Sequence, residues 1–352
     1  MTSRIYLDHN ATTPLDDEVR DTMLRWLGPP GNPSSAHVWG REAAEAVEEA
    51  REAVASLCDW PVGGVVFTSG ATEANGIVLA SGRWAVSAVE HPSVRAWGEE
   101  ELPVDAQGRV LPFDVSDTID GIAVMYANNE TGVLQPIDTV ARCAGGRWVH
   151  IDAAQAPGRV SLRLPVDRTR LSISLSAHKL GGPPGVGALL VAPRRKLAPL
   201  HRGGAQEGGR RAGTVPTALI AGFGAAARRL TSLGPFNPGP RDRLEAGLCA
   251  LGGRIVGSGA ARLPNTVAAS FGTVNAADLV MHLDLRGVAV SAGAACASGS
   301  PLPSPVLAAM GWSGSVVRFS LGREHDHAVV DEALARVQAC LGQLEQLQDD
   351  PI

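Results

Sequence analysis

The chain has 352 residues, of which 45% are hydrophobic and 19% charged, and its formal net charge is −5. At roughly 100–200 residues per domain, this length predicts two domains, or one large α/β domain with a smaller companion. The composition excludes a disordered chain. The small negative charge, without a long run of Lys or Arg, argues against direct binding of nucleic acid or of an anionic membrane.

The first residues, MTSRIYLDHN, contain no apolar stretch of signal-peptide length, and no segment approaches the roughly 18 apolar residues of a membrane span. We therefore expect a soluble, cytoplasmic protein. The cysteines are widely spaced and form no CxxC pair, so we expect neither a disulfide framework nor a bound metal such as zinc. They are Cys58, Cys143, Cys249, Cys296 and Cys340.

Helical spacing of apolar residues predicts two amphipathic helices, at residues 15–28 and 40–57. Six apolar runs of strand length follow, and most of them end in Gly, Asn, Asp or His. This pattern of apolar runs is typical of a buried parallel sheet with helical crossovers, in which ligands bind at the carboxyl ends of the strands. The runs cover residues 64–70, 83–91, 121–129, 147–155, 170–179 and 185–193.

Turn residues at 231–240, TSLGPFNPGP, predict a linker between two domains. After it, three short strand patterns and a closing helix at 326–348 indicate a small α+β unit. We therefore predict a large α/β domain at 15–232 and a small α+β domain formed by 1–14 and 238–352. The three strand patterns cover residues 265–271, 287–293 and 315–322.

Three features near predicted strand ends suggest chemistry, although each alone has an ordinary structural explanation. Lys179 follows a strand in the segment SAHK, where a single lysine is usually a solvated surface charge. Asp152 ends another strand, and a helix N-cap explains it nearly as well. Residues 69–73 form a strand-to-helix turn that suits a phosphate, but the pattern is also typical of a capping box.

Together, these features favour a site for pyridoxal 5′-phosphate (PLP). Such a site requires a lysine for the Schiff base, an acid for the pyridinium nitrogen and a helix N-terminus for the phosphate. The competing prediction of a nicotinamide enzyme is weakened, because no GxGxxG fingerprint follows the first strand.

The sequence resembles the NifS/IscS-like cysteine desulfurases, which are class-V aminotransferase-like PLP enzymes of fold type I. The similarity runs from Tyr6 to about Gly322, nearly the whole chain. It implies a large, mainly parallel sheet domain with helices on both faces and a smaller α+β domain. It rests on YLDHNATTP (6–14), GNPSSAH (31–37), FTSGATEAN (67–75), EHPSV (90–94), NNETG (128–132), DAAQ (152–155), SAHK (176–179), QE…RAGT (206–214) and RFSLG (318–322).

The resemblance implies that Lys179 is the Schiff-base lysine, that Asp152 pairs with the pyridinium nitrogen and that His91 stacks on the ring. It also implies that Thr214 reaches the phosphate of the neighbouring subunit, and hence a homodimer with shared active sites. The remaining cofactor contacts implied are Gln155 and Asn129 at the phenolic oxygen, and Ala71, Thr72, Ser176 and His178 at the phosphate.

The resemblance further makes Cys296, in SAGAACASGS, the nucleophile that receives sulfur in the small domain. The other four cysteines are predicted to be small buried hydrophobes. Arg318 has the planar fork that suits the substrate carboxylate, although an arginine at a strand start is also an ordinary surface residue. Asn10 is the second predicted substrate-binding residue.

These roles imply a cysteine desulfurase that converts L-cysteine to L-alanine and leaves a persulfide on Cys296 for a sulfur-acceptor protein. Iron–sulfur cluster assembly, tRNA thiolation, DNA sulfur modification and a biosynthetic pathway all remain open as destinations of the sulfur. The alternatives are a selenocysteine lyase or a cysteine C–S lyase, which Cys296 argues against, and a non-catalytic assembly subunit. A non-catalytic subunit has no chemical need for both Lys179 and Cys296.

Overall fold

The structure is a computed structural model that describes residues 4–193, 195–292 and 304–349. Its described strands are β1 (Ile5–Tyr6), β2 (Val65–Thr68), β3 (Trp84–Ser87), β4 (Gly98–Leu102), β5 (Gly121–Met125), β6 (Trp148–Asp152), β7 (Leu171–Ser176), β8 (Gly187–Val191), β9 (Arg254–Ile255), β10 (Thr266–Ser270), β11 (Val288–Ala289), β12 (Ser291–Ala292) and β13 (Val317–Ser320). Its described helices are α1 (Asp17–Leu24), α2 (Val38–Leu57), α3 (Ala71–Leu79), α4 (Pro92–Arg95), α5 (Ile137–Cys143), α6 (Thr217–Ser232), α7 (Gly239–Ala250), α8 (Ala276–Leu285), α9 (Pro305–Ala309) and α10 (His327–Asp349).

A seven-stranded sheet in the order β2-β8-β7-β6-β5-β3-β4 forms the centre of the fold. The pairs from β7 through β6, β5 and β3 to β4 are all parallel, so the predicted mainly parallel α/β sheet is confirmed. The prediction is wrong for the run at 185–193, because β8 is antiparallel to both of its neighbours. Residues 177–186 are too few for a helical crossover, which takes about a dozen residues or more.

The sequence pattern missed β4 and α6. The segment of β4, GEEEL, is mostly exposed at the sheet edge, where charged side chains protect an edge strand but hide the apolar alternation. In α6 the residues that pack against α1 and α2 are largely Ala and Gly, which a search for large apolar residues overlooks. The two predicted N-terminal helices are present as α1 and α2, and Asp16 and His37 cap them.

A smaller sheet in the order β12-β13-β10-β9 lies beside the two-stranded pair β1-β11. These strands share a hydrophobic core with α7, α8 and α10, separate from the core around the large sheet. The closing helix predicted at 326–348 is present as α10, with Val330, Val337 and Leu341 buried. On the basis of the two cores, we propose the division into residues 15–232 and residues 1–14 with 238–352.

Within the described part of the chain, no helix combines the length and the apolarity that a membrane span requires.

Candidate active site

A cavity of about 410 Å³ lies beside the carboxyl ends of β5, β6 and β7. In a sheet of parallel strands, loops and helix N-termini converge at this edge. The structure brings eleven of the thirteen predicted site residues together there. They are Asn10, Ala71, Thr72, His91, Asn129, Asp152, Gln155, Ser176, His178, Lys179 and Arg318.

The two other predicted residues are placed differently. Thr214 is exposed and does not line the cavity of its own chain. Cys296 lies outside the described residues.

Asp152 is the last residue of β6 and is buried at the floor of the cavity. Its Oδ1 accepts a hydrogen bond from the backbone N–H of Ala154 at 3.0 Å, and its Oδ2 accepts one from Asn75 Nδ2 at 3.0 Å. One hydrogen bond on each oxygen fixes the carboxylate plane. The helix N-cap explanation is wrong, because residues 153–160 form turns instead of a helix.

Lys179 ends a short 3-10 turn, Ala177–Lys179, directly after β7. Its backbone is fixed because its carbonyl accepts a hydrogen bond from Thr13 Oγ1 at 3.2 Å. The side chain is partly buried and lines the cavity, so the explanation as a solvated surface charge is wrong. Burial and the neighbouring Lys179 charge lower the pKa of His178 to about 4, so His178 is neutral at physiological pH.

Gly70 is the N-cap of α3, and no side chain caps this helix. Only the glutamate half of the predicted capping box forms: the Glu73 carboxylate accepts the N–H of Ser69, and it also pairs with Arg211 at 3.0 Å. An N-terminus without a side-chain cap presents backbone N–H groups to an anion. Gly187 allows the turn at Gly70 to lie close to β8, because a Cβ at Gly187 would be 2.6 Å from the Gly70 Cα.

Arg318 on β13 is almost completely buried, which excludes its explanation as an ordinary surface residue. Its Nη2 pairs with Asp8 Oδ1 at 2.7 Å, and its Nη1 donates to the Asn129 carbonyl at 2.9 Å. Asn10 Nδ2 donates to the same carbonyl at 3.2 Å. A guanidinium has five N–H donors, so further N–H groups of Arg318 remain for a ligand in the cavity that this residue lines.

Comparison with known proteins identifies the family. The family described as aminotransferase class-V matches residues 5–332. A cysteine desulfurase of Bradyrhizobium diazoefficiens is 42% identical, covering 95% of this chain and 93% of its own. The cysteine desulfurase NifS of Azotobacter vinelandii is 36% identical, covering 97% and 94%. A solved NifS-like protein has a TM-score of 0.86 at 32% identity, covering 96% of this chain and 99% of that one.

The chain belongs to the NifS/IscS-like cysteine desulfurases of the class-V aminotransferase family.

Enzymes of this desulfurase family use PLP, and the cavity fits that cofactor chemically. It contains an amine for the PLP aldehyde, in Lys179, and a buried carboxylate for the ring nitrogen, in Asp152. It also contains a helix N-terminus without a side-chain cap for the phosphate, at Ala71 and Thr72. These are the three parts that the cofactor needs from a protein.

Sequence reasoning missed several polar residues around the cavity of this desulfurase. Asn75 and His150 are completely buried beneath Asp152, and Asp8 pairs with Arg318. Ser304 Oγ donates to Glu130 at 2.6 Å, and burial raises the pKa of Glu130 to about 7. One sequence feature could have indicated such residues, namely a polar residue within an otherwise apolar strand or helix, such as the histidine in WVHID of β6.

Of the four cysteines predicted to be small buried hydrophobes, Cys58 and Cys340 are buried, and burial raises the pKa of the Cys58 thiol to about 12. Cys143 is partly buried. The prediction is wrong for Cys249, which is exposed on α7 because it lies on the face of that helix away from the buried Leu244 and Leu248.

Proposed function

We propose that this desulfurase takes sulfur from L-cysteine, releases L-alanine and carries the sulfur as a persulfide on Cys296 before a protein acceptor receives it. The observation that carries the proposal is the convergence of Lys179, Asp152 and the N-terminus of α3 in one cavity that Arg318 also lines. The first three suit the cofactor, and the arginine suits the carboxylate of an amino acid.

Bound PLP supplies an electron sink that weakens the Cα–H and Cβ–S bonds of the substrate. Lys179 Nζ would hold the PLP aldehyde carbon in the resting enzyme. When it is free, the same nitrogen would be the base that takes the Cα proton of the substrate. Its position in the turn after β7, with the backbone fixed by Thr13, keeps the nitrogen within the cavity.

Arg318 would bind the substrate carboxylate through the guanidinium N–H groups that its two present acceptors leave unused. Asp8 accepts from Nη2 and the Asn129 carbonyl accepts from Nη1, so the guanidinium plane is set before the substrate arrives. Pre-orientation of this kind reduces the entropy that binding costs. Recognition of the carboxylate favours an amino acid over a simple thiol as substrate.

The sulfur-transfer step would use the thiolate of Cys296. It attacks the substrate sulfur, and an S–S bond forms as the Cβ–S bond breaks. The electron pair of the broken bond passes to the substrate carbon skeleton, Cβ gains a proton and alanine leaves. Cys296 then bears one additional sulfur atom.

We also propose a homodimer in which Thr214 completes the phosphate site of the partner subunit. The observation that supports this is that Thr214 is exposed and does not line the cavity of its own chain. If the sites are shared, mixing an inactive Lys179→Ala chain with an inactive Thr214→Ala chain restores activity. If each chain uses its own Thr214, the mixture stays inactive.

The proposal is tested by the visible absorbance of bound PLP and by assays of alanine and sulfide after L-cysteine is added. We expect bound PLP, and alanine formation that is lost in Cys296→Ala but kept in Cys249→Ala, a matched control at an exposed thiol. Sulfide release unaffected by Cys296→Ala would establish a C–S lyase instead. Preference for selenocysteine over cysteine in the same assay would establish a selenocysteine lyase.

A further inference from the structure

The side-chain amide of Asn75 connects three polar groups, of which Asp152 and His150 are buried and Ser93 is partly buried. Asn75 is completely buried on α3, and its Nδ2 donates to Asp152 Oδ2 at 3.0 Å and to Ser93 Oγ at 2.8 Å. Its Oδ1 lies 2.8 Å from His150 Nε2. A carboxylate only accepts hydrogen bonds, so the NH₂ end of the amide must face Asp152, and the orientation of the amide is unambiguous.

This orientation sets the hydrogens of His150. Asn75 Oδ1 is an acceptor, so His150 Nε2 carries the proton. His150 Nδ1 therefore accepts from Ser172 Oγ, which is 2.9 Å away. Burial lowers the pKa of His150 to about 4, consistent with a neutral ring that has a single N–H.

The same orientation determines the hydrogens of His91 through Ser93. Ser93 Oγ accepts one hydrogen from Asn75, so its own hydrogen is available for His91 Nδ1, which is 2.8 Å away. The backbone N–H of Ser93 donates to that nitrogen too, at 3.2 Å. Two donors directed at one ring nitrogen require it to be unprotonated. The proton of the neutral ring must then be on Nε2.

We propose that Ser93 and Asn75 are positioning residues that hold His91 as a neutral imidazole with its proton on Nε2, and that Asn75 joins this ring to the carboxylate of Asp152. This rests on the proposed function and on the predicted stacking of His91 on the PLP ring. His91 lines the cavity, and in this tautomer its Nε2–H is a hydrogen-bond donor. The group it suits on the substrate side is an acceptor, such as a thiolate sulfur.

The charges around His91 act in opposite directions. Burial, the largest cause, lowers its pKa; Asp152 at the end of β6 raises it, and Lys179 after β7 lowers it. Protonation of Nδ1 would also require both Ser93 donors to turn away or lose their acceptor. The two hydrogen-bond donors and burial therefore both favour the neutral form of the His91 ring.

The test is a nitrogen NMR spectrum of the PLP-loaded enzyme labelled in its histidine rings, with the His91 signals assigned by their loss in His91→Gln. We expect an unprotonated Nδ1 and a protonated Nε2 between pH 6 and 8. In Ser93→Ala, which loses one of the two donors, we expect a mixture of tautomers and a His91 pKa higher by about one unit. Ser93→Thr keeps a hydroxyl and should restore the wild-type spectrum.

Ser172→Ala is the matched control, because it removes a buried hydroxyl from the far end of the same network. Asn75 Oδ1 still fixes His150 in this variant, so the His91 signals should not change. A protonated Nδ1 in the wild type, or a Ser93→Ala spectrum identical to the wild type, would overturn the proposal. The spectrum needs no turnover, so it reports on the tautomer even if the desulfurase assay fails.

Discussion

The two sides of the cavity are built from different interactions. On the side of the large sheet, Asp152, Asn75 and His91 are joined by hydrogen bonds through amide and hydroxyl groups. On the side of the N-terminal segment and β13, Arg318 and Asp8 form a buried ion pair. The first side suits a cofactor that stays bound through many turnovers. The second suits a substrate carboxylate that enters and leaves each time, because a charged partner is already in place.

The largest effect is expected at the cofactor side. Lys179→Ala removes both the amine that would hold PLP and the base for the Cα proton, so alanine formation should fall by at least about 10³-fold. Lys196→Ala, at an exposed lysine, is the control and should retain activity. Turnover assays with L-cysteine measure both. Lys179→Ala activity within about tenfold of the wild type would contradict the proposed role of Lys179.

A second prediction concerns Glu90, which lies against the sheet side and is buried. Burial raises its pKa to about 8 although Ser87 Oγ and the Met125 N–H both donate to its Oε1. When folding raises the pKa of a carboxyl group, the stability that the group contributes is fully present below its pKa in the unfolded chain. That contribution is lost as the pH rises through its pKa in the folded protein. The contribution of Glu90 to wild-type stability should therefore fall between about pH 5 and pH 8.

Glu90→Gln keeps the acceptor oxygen without an ionisable group. It should become more stable than the wild type by roughly 2–4 kcal/mol as the pH rises across that interval. Urea unfolding at several pH values measures the difference. Asp331→Asn, at an exposed carboxylate, is the control and should show no such trend. A difference that does not change with pH would show that Glu90 ionises normally.

The third prediction tests the charged side. Arg318→Lys keeps the charge but loses the planar fork that Asp8 and the substrate would share, so KM for L-cysteine should rise about 10–100-fold. Arg243→Lys, at an exposed ion pair with Asp331, should leave KM unchanged. Steady-state kinetics distinguish the variants. An unchanged KM in Arg318→Lys would place carboxylate recognition elsewhere.

The smallest effect is expected at the phosphate turn. Gly187→Ala would place a methyl group 2.6 Å from the Gly70 Cα and force the turn away from β8. The new methyl group would also meet the Leu175 carbonyl oxygen of β7, and backbone atoms on both sides must shift to admit it, so we expect PLP affinity at least about tenfold lower. Gly342→Ala, where nothing lies within 4 Å of the new Cβ, is the control. Equal PLP affinity in both variants, measured by titration of the apoenzyme, would contradict the role of Gly187.

The sequence predicted those parts of the site that belong to local patterns. Lys179 and Asp152 each follow a recognisable strand, and the family segments placed most of their neighbours. The sequence could not predict contacts between distant residues: Asp8 and Arg318 are separated by 310 positions and meet only because the chain folds back on itself. Nor did the pattern show the reversal of β8, which depends on a connection too short for a crossover.

The most direct test of sulfur transfer is mass spectrometry of the peptide containing Cys296 after a single turnover with L-cysteine. We expect this peptide to gain the mass of one sulfur atom, in step with one L-alanine released, and to lose it on treatment with a reducing thiol. L-alanine released with no added sulfur on Cys296 would contradict the proposed persulfide.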